Sequence, residues 1–290
     1  MKYKLVKNKL GFFEVAEKPS EIDLKKYYAE KYYQEPTGQY QNSYTLDETI
    51  YFKNKAIMSM ETLHMLGRQP ETMLELGCGE GFFANYFNQK GVNITLNDLS
   101  NAGLQKFNSH LIEFLTVEDA LVYVEDLVKH EKTFDFIAVD NVLEHVIDPF
   151  KFAKDLQKVM HSESIAKITI PNDFSAFQDL LLNKKVTKET WVSPPDHITY
   201  FNTENCEKFL KFLGFEILSI QVDFPVEVFL LNPHSNYWKD RALGKGAHKS
   251  RVQCTNYLIE KDVKTYIKYC ELGAKLDFGR DIIVYVGLIN

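Results

Sequence analysis

Seven consecutive residues, Glu75-Leu76-Gly77-Cys78-Gly79-Glu80-Gly81, follow one apolar stretch and precede another. Glycine is needed where a backbone turns through positive φ or must approach a ligand closely. The run therefore reads as a tight strand-to-helix turn able to pass beneath a bound group. Asp98, 17 positions after Gly81, ends the next apolar strand. An acid at such a strand tip can accept hydrogen bonds from both hydroxyls of a ribose. The dinucleotide fingerprint G-x-G-x-x-G would need glycine where this chain has Phe82, so a nicotinamide dinucleotide is the poorer reading. A tight turn that holds no ligand is the plain alternative.

Two histidines are candidates for moving a proton, because imidazole titrates near neutrality and a modest local shift makes it a usable base. His145 lies in Leu143-Glu144-His145-Val146, and His197 in Ser193-Pro194-Pro195-Asp196-His197-Ile198-Thr199-Tyr200, where two prolines stiffen the approach. His145 would look the same if it only satisfied backbone groups at a loop-to-helix junction, and His197 if it only anchored its loop. Lys239, Arg241, Lys245, His248, Lys249 and Arg251, with Asp240 as the one acid among them, form a local cationic loop. Such a loop can meet a phosphate or diphosphate; a solvated surface gives the same pattern.

The elements that must carry these groups alternate as βαβ units from Glu71 onward. The pattern predicts strands at Thr72–Leu76, Asn93–Asn97, Ile112–Val117, Phe134–Val139, Ala166–Ile170, Phe215–Val222 and Asp281–Leu288. Helices are expected from Phe82 to Gln89, from Ala120 to Lys129, from Asp148 with Pro149 in its first turn, and from Thr203 to a stop at Gly214. Residues 1–70 read as a separate cap: a hairpin over 3–16, a helix from Glu21 to Tyr33 carrying Tyr27, Tyr28, Tyr32 and Tyr33, and a second helix from Asp47 to Leu66. Two insertions, 172–200 and 223–279, stand outside this alternation, and loop ends are where substrate specificity is usually built.

A net charge of −6 argues against a general nucleic-acid binder, which needs a cationic surface to displace counterions. The four cysteines, Cys78, Cys206, Cys254 and Cys270, show neither a zinc pattern nor a disulfide framework. No apolar run approaches the roughly 20 residues that span a bilayer. No secretory signal core follows Met1 either, so a cytoplasmic setting and a small-molecule partner, with neither membrane nor nucleic acid, are expected.

Taken together, Glu75–Gly81, Asp98-Leu99-Ser100, Asp119-Ala120 and Phe134–Val139 followed by Leu143-Glu144-His145-Val146 resemble the class I S-adenosylmethionine (SAM) dependent methyltransferases. Within them the likeness is to the branch of ubiquinone-pathway O-methyltransferases and sugar methyltransferases of surface-polysaccharide clusters. It covers Thr72 to Ile220 and, more loosely, Gly279 to Leu288. The resemblance implies an α/β, Rossmann-like sheet of seven strands with the last antiparallel. It implies SAM as cofactor and S-adenosylhomocysteine as product.

Carried over by position, Gly77, Cys78 and Gly79 would pass under the methionine part of SAM and Glu75 would hold its amino end. Asp98 and Leu99 would meet the ribose, with Asp119 and Ala120 at the adenine. Asp119 could instead simply cap the following helix. His145 and His197 would face the acceptor, and Tyr40 and Tyr44 belong to a stretch resembling the lid of many relatives. Arg241, Lys245 and Arg251 are the candidate contacts to an acceptor phosphate. The acidic residue that holds a divalent metal in some relatives is Asn141 here, so no metal is expected. The expected reaction is O-methylation of a small polar metabolite such as a sugar or nucleotide-linked sugar. Transfer to nitrogen or carbon, or a catalytically silent binding protein, are the alternatives.

Overall fold

In the computed structural model, which describes residues 3–20, 23, 24, 27 and 43–289, the chain opens on strands β1 (Leu5–Lys7) and β2 (Phe13–Val15). They pair antiparallel, as the hairpin pattern predicts. Most of the expected helix Glu21–Tyr33, with Tyr28, Tyr32 and Tyr33, lies outside the described residues. Asp23, Leu24 and Tyr27 are helical, and the first helix described along its whole length is α1 (Leu46–Met65), which begins with a capping box: Thr45 Oγ1 accepts from the Glu48 amide, and Glu48 accepts from the Thr45 amide.

The βαβ alternation follows. It comprises β3 (Thr72–Leu76), α2 (Phe82–Gln89), β4 (Asn93–Asp98), α3 (Ala102–Phe107), β5 (Leu115–Val117), α4 (Ala120–Lys129), β6 (Phe134–Asp140), α5 (Pro149–Lys158) and β7 (Met160–Pro171). Next come α6 (Ala176–Asn183), β8 (Thr199–Tyr200), α7 (Thr203–Phe212), β9 (Phe215–Val222), α8 (Gly244–Lys261), α9 (Val263–Lys275) and β10 (Asp281–Leu288). Seven strands lie in the order β5-β4-β3-β6-β7-β10-β9, with β10 antiparallel to both neighbours and the rest parallel. This is the Rossmann-like sheet that the resemblance implies.

Alternation along each strand divides the core into two layers. Leu74, Leu76, Ile137, Val139, Ile168 and Val284 face one way, onto Phe152, Leu156, Phe209 and Leu210 of α5 and α7. Met73, Phe136, Ala138 and Tyr285 face the other, onto Met60 and Leu63 of α1 and Phe87 of α2. Helices thus cover both faces, which leaves the carboxyl ends of the parallel strands as the place where loops converge.

Three expectations are corrected. The strand at Ile112–Val117 is reduced to Leu115–Val117, because Ser109–Phe114 forms a 3₁₀ turn. Leu111, Ile112, Phe114 and Leu115 fall at a helical rather than a period-two spacing, and Leu111 is fully buried. The strand at Ala166–Ile170 begins earlier, at Met160, and so includes His161–Ser164. The cationic stretch 239–251 is mostly helical: Arg241–Leu243 is a 3₁₀ turn and α8 starts at Gly244. Ala247, Val252, Thr255, Asn256 and Ile259 are its buried face, and packing against α1 overrides two helix-weakening glycines.

In the first insertion β8 pairs with β2, giving a small three-stranded sheet and tying the N-terminal hairpin to the loop that carries His197. No helix among the described residues is long and apolar enough to cross a membrane.

Candidate functional site

At the end of β3 the chain turns through Gly77 (φ 74°), Gly79 (φ 54°) and Gly81 (φ 73°), all left-handed. Nothing lies within 4 Å of where a Gly79 Cβ would stand, so backbone conformation alone demands glycine there, and the space above it is open. Gly103 of α3 is needed for the opposite reason: its Cβ would come within 2.5 Å of the Gly79 carbonyl oxygen. The turn is braced from β4. The amides of Gly77 and Cys78 donate to the Asn97 carbonyl, and that of Gly79 donates to Asp98 Oδ2 at 2.9 Å. Asp98 Oδ1 accepts from the Ser100 amide at 3.0 Å. Each Asp98 oxygen keeps acceptor capacity for a ligand hydroxyl, and burial raises its pKa.

Glu75 beneath the turn is 3% exposed, and its Oε2 has no hydrogen-bond partner. Burial, and then the neighbouring Asp140 charge, push its carboxyl well above the usual range. Asp140 is itself held by Lys167, with Nζ at 2.6 and 2.8 Å from the two carboxylate oxygens and 4.3 Å from the Phe83 ring centroid. A buried acceptor without a donor matches a ligand that brings an ammonium group. Cys78 is buried with its thiol pKa raised by desolvation, which makes the side chain inert. Leu99 offers an exposed apolar edge beside Asp98. Asp119 Oδ1 accepts from the Leu121 and Val122 amides, so it caps α4, with Ala120 as the first residue of that helix.

Across the same edge, past β6, His145 and His197 meet edge to face. His145 Nδ1 is 2.7 Å from the Asp196 carbonyl oxygen and 3.4 Å from Asp196 Oδ1. A carbonyl only accepts, so Nδ1 carries the proton and Nε2 is the basic nitrogen. Burial lowers the His145 pKa, against the opposing charge of Asp196. The His197 pKa falls to about 3, through burial first and the His145 charge second. Glu144 is 2% exposed; neither of its carboxylate oxygens accepts a hydrogen bond, and Oε1 lies 3.8 Å from His145 Nε2. Glu144, His145 and His197 each bring one metal-ligating atom to within 4.8 Å of the others, a convergence that was not expected from Asn141, which is exposed.

Residues 53–220 match the family described as a methyltransferase domain, more than half of the chain. The chain belongs to the methyltransferase family. Its seven-stranded sheet with antiparallel β10 is that of the class I, SAM-dependent group. The ubiquinone biosynthesis O-methyltransferase of Alkalilimnicola ehrlichii is 36% identical over 86 residues, 29% of this chain and 34% of that protein. N-methyltransferase 4 of Papaver somniferum is 27% identical over 139 residues, 46% of this chain and 39% of that protein. The aligned stretches therefore span well under half of either relative. A SAM-dependent methyltransferase structure from Archaeoglobus fulgidus superposes with a TM-score of 0.50 at 18% identity, covering 81% of this chain and 94% of that one, and shares the fold.

In this methyltransferase the remaining expected residues separate. Tyr44 lies over the glycine turn: its hydroxyl donates to Glu80 Oε1, and its ring packs against Phe52, Phe82 and Phe107. Tyr40 lies outside the described residues. Arg241 and Lys245 are exposed, whereas Arg251 turns inward over the Tyr51 ring, so the three cations do not form one cluster.

Sequence reasoning missed Gly103, Asp196 as the partner of His145, and Lys167. A lone lysine within the apolar run of β7 was the one available signal for an internal ion pair, because such a charge is not buried alone.

Proposed function

We propose that this methyltransferase transfers the methyl group of SAM to a hydroxyl of a small polar metabolite, a sugar or nucleotide-linked sugar, and releases S-adenosylhomocysteine. SAM, when bound, supplies an electrophilic methyl group on a sulfonium. The residues fit it: the open space over Gly79, with Gly77 and Cys78 beside it, would take the methionine part, and the orphaned Glu75 Oε2 its ammonium. Asp98 has acceptor capacity for the ribose, Leu99 packs beside it, and Asp119 with Ala120 borders the adenine end. Tyr44 acts as part of the lid.

The observation that carries hydroxyl rather than amine methylation is the Asp196 carbonyl against His145 Nδ1. It fixes the tautomer that leaves Nε2 as proton acceptor, and the lowered pKa keeps the ring neutral at pH 7. An alcohol acceptor must lose a proton, and a positioned neutral histidine is the group that takes it. His197 and Glu144 complete the polar wall that orients the acceptor.

The test is incubation of the purified chain with methyl-labelled SAM and a panel of sugars, nucleotide-linked sugars, phenols and amines, reading the product by mass. Label on a sugar hydroxyl supports the proposal; label only on amines overturns it.

A further inference from the structure

We infer that Lys55 and Arg251, set around the ring of Tyr51, form an oxyanion-binding subsite that holds a carboxylate or phosphate of the acceptor. The inference rests on the methyltransferase reading above and adds the chemical class of the acceptor. Tyr51 and Lys55 are one turn apart on α1, and Arg251 comes from α8, which packs across it. Lys55 Nζ is 5.0 Å and the Arg251 guanidinium carbon 5.6 Å from the Tyr51 ring centroid. Among the described residues neither cation forms an ion pair with a carboxylate, and Arg251 Nε is buried with no acceptor at all.

Arg251 is nevertheless held in place. Its Nη2 donates to His248 Nδ1 at 3.0 Å, and His248 Nε2 donates in turn to Glu48 Oε1 at 3.0 Å. Tyr51, Asp223 and Asp281 keep both cations charged despite burial, but none of them uses the buried Arg251 Nε donor, which an anion could satisfy.

The place in the fold is right for an acceptor. Tyr51 and Lys55 line a small cavity with Asp223, Thr255 and Tyr266, at the end of β9 and the start of β10. That is the same sheet edge as the glycine turn and His145, where open α/β sheets bind ligands. Arg280 lies between the two halves: its charge is felt at both His197 and Arg251. Arg280 is already committed to Asp173 at 3.0 Å and Glu227 at 3.9 Å, so it does not compete for the anion. Asp223 does not neutralise the pair at contact, since its Oδ1 is taken by the amides of Arg280 and Asp281. Its Oδ2 has no partner, and with a pKa raised by burial to about 7 it can donate a proton to an oxyanion.

The test uses the full chain saturated with S-adenosylhomocysteine, titrated with inorganic phosphate or acetate against sodium chloride of matched ionic strength. The expected result is binding of at least one oxyanion, weakened about tenfold or more by Lys55→Gln and by Arg251→Gln. It should be unchanged in the surface pair Arg241→Gln/Lys245→Gln. Preference for phosphate over acetate identifies which oxyanion the acceptor bears. Lys55→Gln, at the cavity lining, serves if Arg251→Gln fails to fold. Absence of oxyanion binding in a protein that binds S-adenosylhomocysteine overturns the inference, as does loss of binding confined to the surface pair. Failure to bind S-adenosylhomocysteine itself overturns the functional reading instead.

Discussion

His145 and His197 stand with ring centroids 4.8 Å apart and ring planes at 82°. They come from different loops, one after β6 and one in the insertion that follows β7; burial makes both harder to protonate, and the His145 charge adds to this at His197. Asp196 supplies the opposing influence, through its carbonyl and carboxylate at His145 Nδ1. The site therefore keeps its imidazoles neutral where an isolated histidine would be partly charged, and its behaviour with pH follows.

The acid limb of kcat/KM reports the free enzyme's base. Because the His145 pKa is lowered, that limb should fall below about 6.5, the ordinary histidine value. His145→Gln should remove the limb and reduce kcat about 10²–10⁴-fold while S-adenosylhomocysteine affinity, read by calorimetry, stays within twofold. A limb at or above neutrality would assign the proton transfer elsewhere.

Stability should depend on pH through His197. Its folded pKa, about 3, lies below the unfolded value near 6.5, so between these limits the unfolded chain binds more protons than the native one. The stabilisation is complete above about 6.5 and is lost as pH falls towards 3. Urea unfolding at several pH values should show this loss, and His197→Gln should flatten the slope by up to about 1.4 kcal/mol per pH unit. An unchanged slope would mean that the imidazole is solvated.

Gly103→Ala forces a Cβ against the Gly79 carbonyl, a backbone group that cannot swing away. A stability loss of about 1–3 kcal/mol is expected, with a marked drop in S-adenosylhomocysteine affinity because the displaced atoms are the turn itself. Gly246→Ala, where an added Cβ meets nothing, should instead stabilise α8 by up to about 1 kcal/mol. Equal effects from the two substitutions would contradict the packing of α3 on the turn.

Asp98→Ala removes both the brace on the Gly79 amide and the acceptor assigned to the ribose. Cofactor binding should weaken by roughly 1.5–3 kcal/mol per charge-assisted hydrogen bond lost. Asp119→Ala should cost about 1 kcal/mol of stability through the lost cap on α4, with a smaller change in affinity. Calorimetry and thermal unfolding on the two variants separate the roles.

Local pattern was enough for much of the molecule. β3, α2, α4, β9 and β10 begin and end where apolar periodicity, glycine stops and capping residues place them, because those signals act within a few residues. The Glu75–Gly81 turn and Asp98 were legible for the same reason: left-handed backbone and a strand-end acid leave their mark on residue type.

Contacts between distant segments left no such mark. Asp196 meets His145 only because β8 joins β2 and draws the first insertion over the sheet edge. Lys167 finds Asp140 across neighbouring strands, and Arg251 turns from an apparent surface loop onto Tyr51 because α8 packs on α1. In each case burial and charge pairing, summed over elements far apart in the chain, outweighed the local preference. Composition carries the preference, and only the packed structure carries the sum.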